Sequence, residues 1–162
     1  MEIGGLVLRS TGKWYQVKGE DGKEYTCQIK GKLRMKGVRS TNPVAVGDHV
    51  QFEVKEDDED SGVIISIDKR KNYIIRKSVN LSKESHIVAS NLDQAFLLVT
   101  LKTPTTSTGF IDRFLVTAEA YEIPVIIVFH KSDIYNDEDM DKLEELKNNY
   151  EKIGYECIIT SA

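Results

Sequence analysis

The chain has 162 residues and a net charge of −4, with 40% hydrophobic and 30% charged residues, which suits one large globular domain or two small ones. No stretch resembles a signal peptide, and no apolar run approaches the roughly 20 residues that a membrane span needs, so we expect a cytoplasmic protein. The two cysteines, Cys27 and Cys157, have neither CxxC spacing nor a histidine cluster nearby. Buried thiols are therefore favoured over a metal site or a disulfide.

The charge is divided unevenly along the chain. Residues 1–83 carry 16 Lys and Arg against 12 Asp and Glu, a net of +4, whereas residues 84–162 carry 6 against 14, a net of −8. This asymmetry predicts two domains with different partners, the first of which suits a polyanion. We expect one domain at 1–70, a linker at 71–84 and a second domain at 85–162.

The first part of the chain contains short segments in which apolar and polar residues alternate, the pattern of half-buried β-strands. Glycine-containing turns and an acidic turn at 56–62 separate them. Five short strands in about 65 residues predict a five-stranded OB-type barrel, and the same pattern leaves an SH3-like barrel open as the alternative. The predicted strands lie around residues 6–8, 14–17, 24–30, 49–54 and 63–67.

A basic segment lies between the third and fourth predicted strands, with five cations in ten residues and glycine among them. Such a segment fits a core poorly and follows phosphates well, so we expect it to contact RNA, with a solvated surface as the alternative. The run 69–71 and the pair 76–77 add a second basic cluster. Of the adjacent aromatics at 14 and 15, we expect at least one in the barrel core, and the other can stack on bases. The predicted RNA-binding residues are Trp14, Lys30, Lys32, Arg34, Lys36 and Arg39.

The second part of the chain alternates apolar runs with helical patterns. Strands are predicted at 95–99, 124–129 and 157–159, with helices between them. The first helix, 109–121, places four residues on one face: Phe110, Phe114, Ala118 and Tyr121. The second begins after Asn136, a good N-cap, and ends at Gly154. Its predicted buried stripe is Met140, Leu143, Leu146, Tyr150 and Ile153. This order predicts three parallel strands, which form a partial α/β sheet with an unpaired edge.

Polar motifs follow the second and third of these strands, where open α/β sheets bind ligands. One is a Lys-x-Asp, and the other is a Ser-Ala whose backbone N–H can reach the guanine carbonyl oxygen. Guanine presents two adjacent donors, which one carboxylate can accept, whereas adenine would leave that carboxylate unpaired. A lysine stem can lie along the flat base. A polar loop that caps the next helix is the plainer alternative. The predicted guanine-binding residues are His130, Lys131, Ser132, Asp133, Ser161 and Ala162.

Two phosphate-binding motifs are absent from these 162 residues. There is no Gly-x-x-x-x-Gly-Lys-Ser/Thr, so the sequence has the base-recognition half of a GTPase without its phosphate loop, and no catalytic or metal-binding residue is predicted. No Gly-x-Gly-x-x-Gly follows any predicted strand, which disfavours a Rossmann-type cofactor enzyme. An OB-fold RNA-binding module without nucleotide chemistry stays open as a second hypothesis.

A barrel followed directly by base-recognition motifs, with no phosphate loop before them, inverts the usual GTPase order. The chain resembles the circularly permuted, ribosome-small-subunit-dependent GTPases of the RsgA/YjeQ family. Three segments carry the resemblance: Asn42–Asp48 in the barrel, Asn91–Gln94 before the first sheet strand, and Phe110–Leu115 in the first helix. One position departs from it, because His130 stands where the family usually has Asn.

The resemblance implies an OB domain that docks on 16S rRNA of the 30S subunit, and a GTPase that acts late in small-subunit maturation. It also implies that the phosphate loop, the Mg²⁺ ligands and a C-terminal zinc-binding domain follow the Ser-Ala motif. We therefore expect an N-terminal piece of a longer, monomeric protein. By itself this piece should be inactive as a hydrolase and should hold no cofactor.

Overall fold

The computed structural model describes residues 2–31, 43–77 and 85–161. The chain divides into two compact units, Met1–Leu92 and Asp93–Ala162. Of the stretch predicted as a linker at 71–84, residues 73–77 form a strand.

The first unit contains a closed five-stranded barrel. Its strands are β1 Glu2–Thr11, β2 Trp14–Gly19, β3 Glu24–Ile29, β4 His49–Lys55 and β5 Asp58–Ile67. The barrel order is β1-β2-β3-β5-β4, in which β3 and β5 pair in parallel and the other neighbours are antiparallel. This topology confirms the OB-type barrel over the SH3-like alternative. The predicted acidic turn at 56–62 is wrong in length, because β5 already begins at Asp58, which pairs with Lys55 of β4.

Strand alternation builds the barrel core. Apolar side chains at every second position point inward, and Tyr25 and Phe52 pack with ring centroids 4.9 Å apart. The adjacent aromatics separate as alternation requires: Tyr15 is buried, and Trp14 is 48% exposed. The core residues are Val7, Tyr15, Val17, Tyr25, Cys27, Val44, Val50, Phe52 and Ile64.

An antiparallel strand pair, β6 Tyr73–Lys77 and β7 Ser85–Ser90, follows the barrel within the first unit. The end of β7 contacts the loop before β4 at Gly47, where the Ser90 N–H donates to Val46 O at 2.9 Å. Gly47 has φ +87, and a Cβ there would lie 2.1 Å from Ser90 O. Only glycine fits this approach, because a side chain would overlap the backbone of Ser90.

A buried ion pair lies at the same junction. Both Asp48 oxygens are occupied: Oδ1 accepts from Arg70 Nε and Ser90 Oγ, each at 2.6 Å, and Oδ2 accepts from Arg70 Nη2 at 2.6 Å and Ala45 N–H at 2.8 Å. The Asp48 side chain is 0% exposed and that of Arg70 is 6% exposed. Arg70, which the sequence placed in a basic cluster, is therefore a structural residue and is not available to phosphate.

The second unit is a three-stranded parallel sheet with two helices. Its elements are β8 Ala95–Val99, α1 Thr108–Ala120, β9 Val125–Phe129, α2 Asp137–Lys152 and β10 Glu156–Ile159. The strand order is β10-β9-β8, and both pairings are parallel. The predicted partial α/β sheet is confirmed.

The helix ends follow the capping residues, whereas the buried faces agree with the prediction in part, with Leu143 and Tyr150 of the predicted α2 stripe buried. Asn136 and Asp139 form a reciprocal capping box on α2, and Gly154 ends that helix with φ +99. On α1 the buried residues are Ile111, Leu115 and Ala118. Of the predicted face, Ala118 is buried and Phe114 and Tyr121 are half-buried, whereas Phe110 is exposed. Ile153 is also exposed, because α2 ends at Lys152, before that residue.

Candidate nucleotide-binding site

The C-terminal ends of the three parallel strands lie side by side. In the register, Phe129 is opposite Val99 on one side and Ile159 on the other. The residues that follow β9 and β10 are His130 and Thr160, so the two predicted base-recognition motifs begin at neighbouring points of one sheet edge. The structure brings them together although 30 positions separate these two residues.

Hydrogen bonds join the two motifs. The His130 N–H donates to Val99 O at 2.8 Å, and the Thr160 N–H donates to Phe129 O at 2.8 Å, which extends the sheet by one residue. The ring Nδ1 of His130 lies 2.9 Å from Thr160 Oγ1. Ser132 donates to Thr160 O from its N–H at 3.1 Å and from its hydroxyl at 3.2 Å. The loop after β9 and the loop after β10 are therefore one bonded unit.

The Lys-x-Asp loop has a constrained backbone. Lys131 is left-handed, with φ 66 and ψ 36, and a 3-10 turn over Ser132–Ile134 follows it. A non-glycine residue in this region carries a cost on the order of 1 kcal/mol, which surrounding contacts must offset. One such contact is made by Lys131 Nζ, which donates to Thr103 O.

Asp133 is exposed in the first turn of that 3-10 segment. Within the described residues its carboxylate has no hydrogen-bond or ion-pair partner, so both oxygens are open to a ligand. Ser161 is also exposed, while Ala162 lies outside the described residues. The arrangement presents an acceptor beside the strand ends, as the predicted recognition of guanine requires.

Tyr135 was not predicted as a site residue, yet it braces this loop. Its hydroxyl donates to His130 O at 2.7 Å and accepts from Leu101 N–H at 2.8 Å. Nearby, Lys102 forms an ion pair with Asp139, and the hydrogen bond from Lys102 lowers the pKa of that carboxyl. Because the partners of Tyr135 are backbone atoms, no residue pattern in the sequence signals its role.

The predicted RNA-binding residues are only partly described. Lys30 is exposed directly after β3, and Trp14 is exposed at the start of β2 in the β1–β2 hairpin. The remaining four, Lys32, Arg34, Lys36 and Arg39, lie outside the described residues.

The described ranges, 2–31, 43–77 and 85–161, also bear on metal binding and membrane spans. No group of three or more His, Cys, Asp or Glu side chains there could hold a metal ion, so no residue is assigned to Mg²⁺ or Zn²⁺. No helix in those ranges combines the length and the apolar composition needed to cross a membrane. Cys27 and Cys157 are free and buried, as predicted.

An OB-type barrel followed directly by a partial parallel α/β sheet is the class of fold that these elements define, and it is the arrangement of circularly permuted GTPases. The chain belongs to the RsgA GTPase family: the RsgA GTPase model matches residues 67–162, and the RsgA N-terminal domain model matches residues 4–64.

Relatives and solved structures agree with this assignment. Proteins named small ribosomal subunit biogenesis GTPase RsgA are 59% identical in Christiangramia forsetii and 55% identical in Phocaeicola vulgatus, each over 98% of this chain and 50% of the relative. The crystal structure of YjeQ from Thermotoga maritima is similar with 33% identity and a TM-score of 0.71, over 99% of this chain and 52% of that one. The circularly permuted GTPase YloQ is similar with 29% identity and a TM-score of 0.66, over 100% and 52%. The chain spans about half the length of the curated relatives it matches.

Proposed function

We propose that the intact protein is a GTPase of small-ribosomal-subunit biogenesis that binds 16S rRNA on the 30S subunit and hydrolyses GTP. The observation that supports this most is the sheet edge at which His130 and Thr160 bring two guanine-recognition loops into one bonded unit. The names of the relatives support the ribosomal role. We also infer a cytoplasmic monomer.

In this proposal the described residues select the base. The Asp133 carboxylate accepts from N1–H and the 2-amino group of guanine, and the aliphatic stem of Lys131 lies against the ring. Backbone N–H groups at Ser161 and Ala162 donate to the guanine carbonyl oxygen. His130 takes the place of the usual Asn; its ring Nδ1 is bonded to Thr160 Oγ1, which leaves Nε2 for the base.

The phosphates of GTP need other residues. Phosphoryl transfer depends on a phosphate loop, its lysine and Mg²⁺, and the 162 residues contain no such loop motif. We therefore assign GTP binding and hydrolysis to the intact protein, with Mg²⁺ as its cofactor and zinc in a further domain. These 162 residues supply contacts to the base alone.

The barrel supplies the RNA contact. Its candidate residues are the exposed Trp14 and Lys30 and the basic segment that continues to Arg39. Closely spaced cations attract phosphates, and an exposed aromatic ring offers a stacking surface.

Replacement of Asp133 tests base recognition in the full-length protein. Asp133→Asn should weaken GTP binding and shift preference toward xanthosine triphosphate, because xanthine has a carbonyl in place of the 2-amino group and the Asn amide can donate to it. Titration with both nucleotides measures the shift. Asp137→Asn is the matched control, since Asp137 is an exposed carboxylate nearby at the start of α2. Retained guanine preference in the Asp133 variant would remove Asp133 from the site.

A further inference from the structure

The loop after β8, residues 100–106, is closed on itself by hydrogen bonds. The Thr100 N–H donates to Thr106 Oγ1 at 3.1 Å, and the Thr106 N–H donates back to Thr100 O at 2.8 Å. Within the loop, Thr105 Oγ1 donates to Leu101 O at 3.1 Å, and Thr100 Oγ1 donates to Pro104 O. Its shape is therefore set largely by its own polar groups. We call residues 100–106 the brace loop.

Three contacts link the brace loop to the segment that carries the Lys-x-Asp motif. The Leu101 N–H donates to the Tyr135 hydroxyl, Thr103 O accepts from Lys131 Nζ, and Lys102 forms an ion pair with Asp139. Two of these contacts involve backbone atoms of the brace loop. Hydrogen bonds and an ion pair from the brace loop therefore hold in place the segment whose residues are proposed to recognise guanine.

The Tyr135 hydroxyl has a particular place in this link. It accepts from Leu101 N–H and donates to His130 O, so one oxygen connects the brace loop with the peptide group between His130 and Lys131. That peptide group immediately precedes the left-handed Lys131, whose backbone sets the direction of the turn to Asp133. A rotation of the peptide would therefore move the lysine stem and the carboxylate together.

We propose that Tyr135 is a positioning residue for guanine recognition: its hydroxyl locks the 130–131 peptide so that Lys131 and Asp133 face the base. This inference rests on the proposed function. Tyr135 need not touch the nucleotide. Its effect is on the alignment of the two residues that do, and the discrimination between guanine and a base without the 2-amino group should depend on it.

Tyr135→Phe in the full-length protein tests the proposal, because it removes one oxygen and keeps the ring. Affinities for GDP and for inosine diphosphate, which lacks the 2-amino group, are measured by titration. We expect GDP affinity to fall by about three- to tenfold, as for the loss of one or two hydrogen bonds, and the GDP-to-IDP ratio to fall with it. Tyr155→Phe is the matched control, since Tyr155 precedes β10 at the other end of the strand. Both quantities should stay at the wild-type value there.

The other outcomes distinguish failure of the Tyr135 inference from failure of the proposed function. If the wild type prefers GDP and Tyr135→Phe keeps the same affinity and ratio, Tyr135 does not position the site. A lower melting temperature with an unchanged ratio also overturns the inference, because it shows a purely structural hydroxyl. If the wild type shows no preference for GDP over IDP and ADP, the proposed function itself fails, and the inference fails with it.

Discussion

The Asp48–Arg70 ion pair offers a direct test of the barrel's energetics. Arg70→Met keeps much of the side-chain length and removes the guanidinium, which makes three hydrogen bonds: one to each Asp48 oxygen and one to Pro43 O at 2.8 Å. Asp48 would keep Ser90 Oγ and Ala45 N–H as donors. It would lose its only cationic partner among the described residues.

The expected cost follows from burial. The side chains are 0% and 6% exposed, so the carboxylate left behind has no access to water. Breaking a buried pair by removing one partner costs about 3–5 kcal/mol. Since two donors remain on Asp48, we expect the lower end, about 3 kcal/mol. For a unit of this size that is a decrease in melting temperature of roughly 12–24 °C.

Urea or thermal unfolding of the 162-residue chain measures this cost. The single tryptophan, Trp14, lies in β2, so its fluorescence follows the first unit. Arg9→Met on β1 is the matched control, because Arg9 is exposed and should cost less than about 0.5 kcal/mol. If Arg70→Met lowers the free energy of unfolding by less than about 1 kcal/mol, the cost of desolvating the arginine cancels the attraction within the ion pair, and the junction does not depend on that pair.

Three further predictions concern RNA, hydrolysis and the thiols. Replacing Lys32, Arg34 and Lys36 together with Ala should reduce the slope of log K against log salt concentration for small-subunit binding by about two. Replacing Lys142, Lys147 and Lys152 with Ala is the control and should leave that slope unchanged. Equal slopes in the two triple variants would exclude the segment from the interface. The 162-residue chain should release no phosphate from GTP above background, and tightly bound stoichiometric GTP on the purified chain would contradict the assignment of the phosphate site to other residues. Burial raises the pKa of both Cys27 and Cys157 to about 11, so at pH 8 little thiolate is present, and a disulfide reagent should react slowly until urea is added. Fast labelling of the native protein would contradict that burial.

Local chemistry made much of this protein predictable from sequence. Strand alternation located all five barrel strands, because the side-chain period of two is a property of each strand alone. Asn136 and Gly154 marked the ends of α2 for the same reason, since a cap bonds to its own helix. The Lys-x-Asp and Ser-Ala motifs could be predicted as candidates, because a bound guanine would need a carboxylate acceptor and a backbone donor.

Tertiary structure decided the features that depend on distant partners. Parallel pairing of β3 with β5 closes the barrel, and the alternation pattern that also fits an SH3-like barrel carries no information about that pairing. In the sequence Arg70 resembles a surface cation, because its partner Asp48 lies 22 positions away and only the fold brings the two side chains together. Tyr135 gave no signal at all, because it bonds to the backbone of Leu101 and His130, and a backbone group is the same whatever residue carries it.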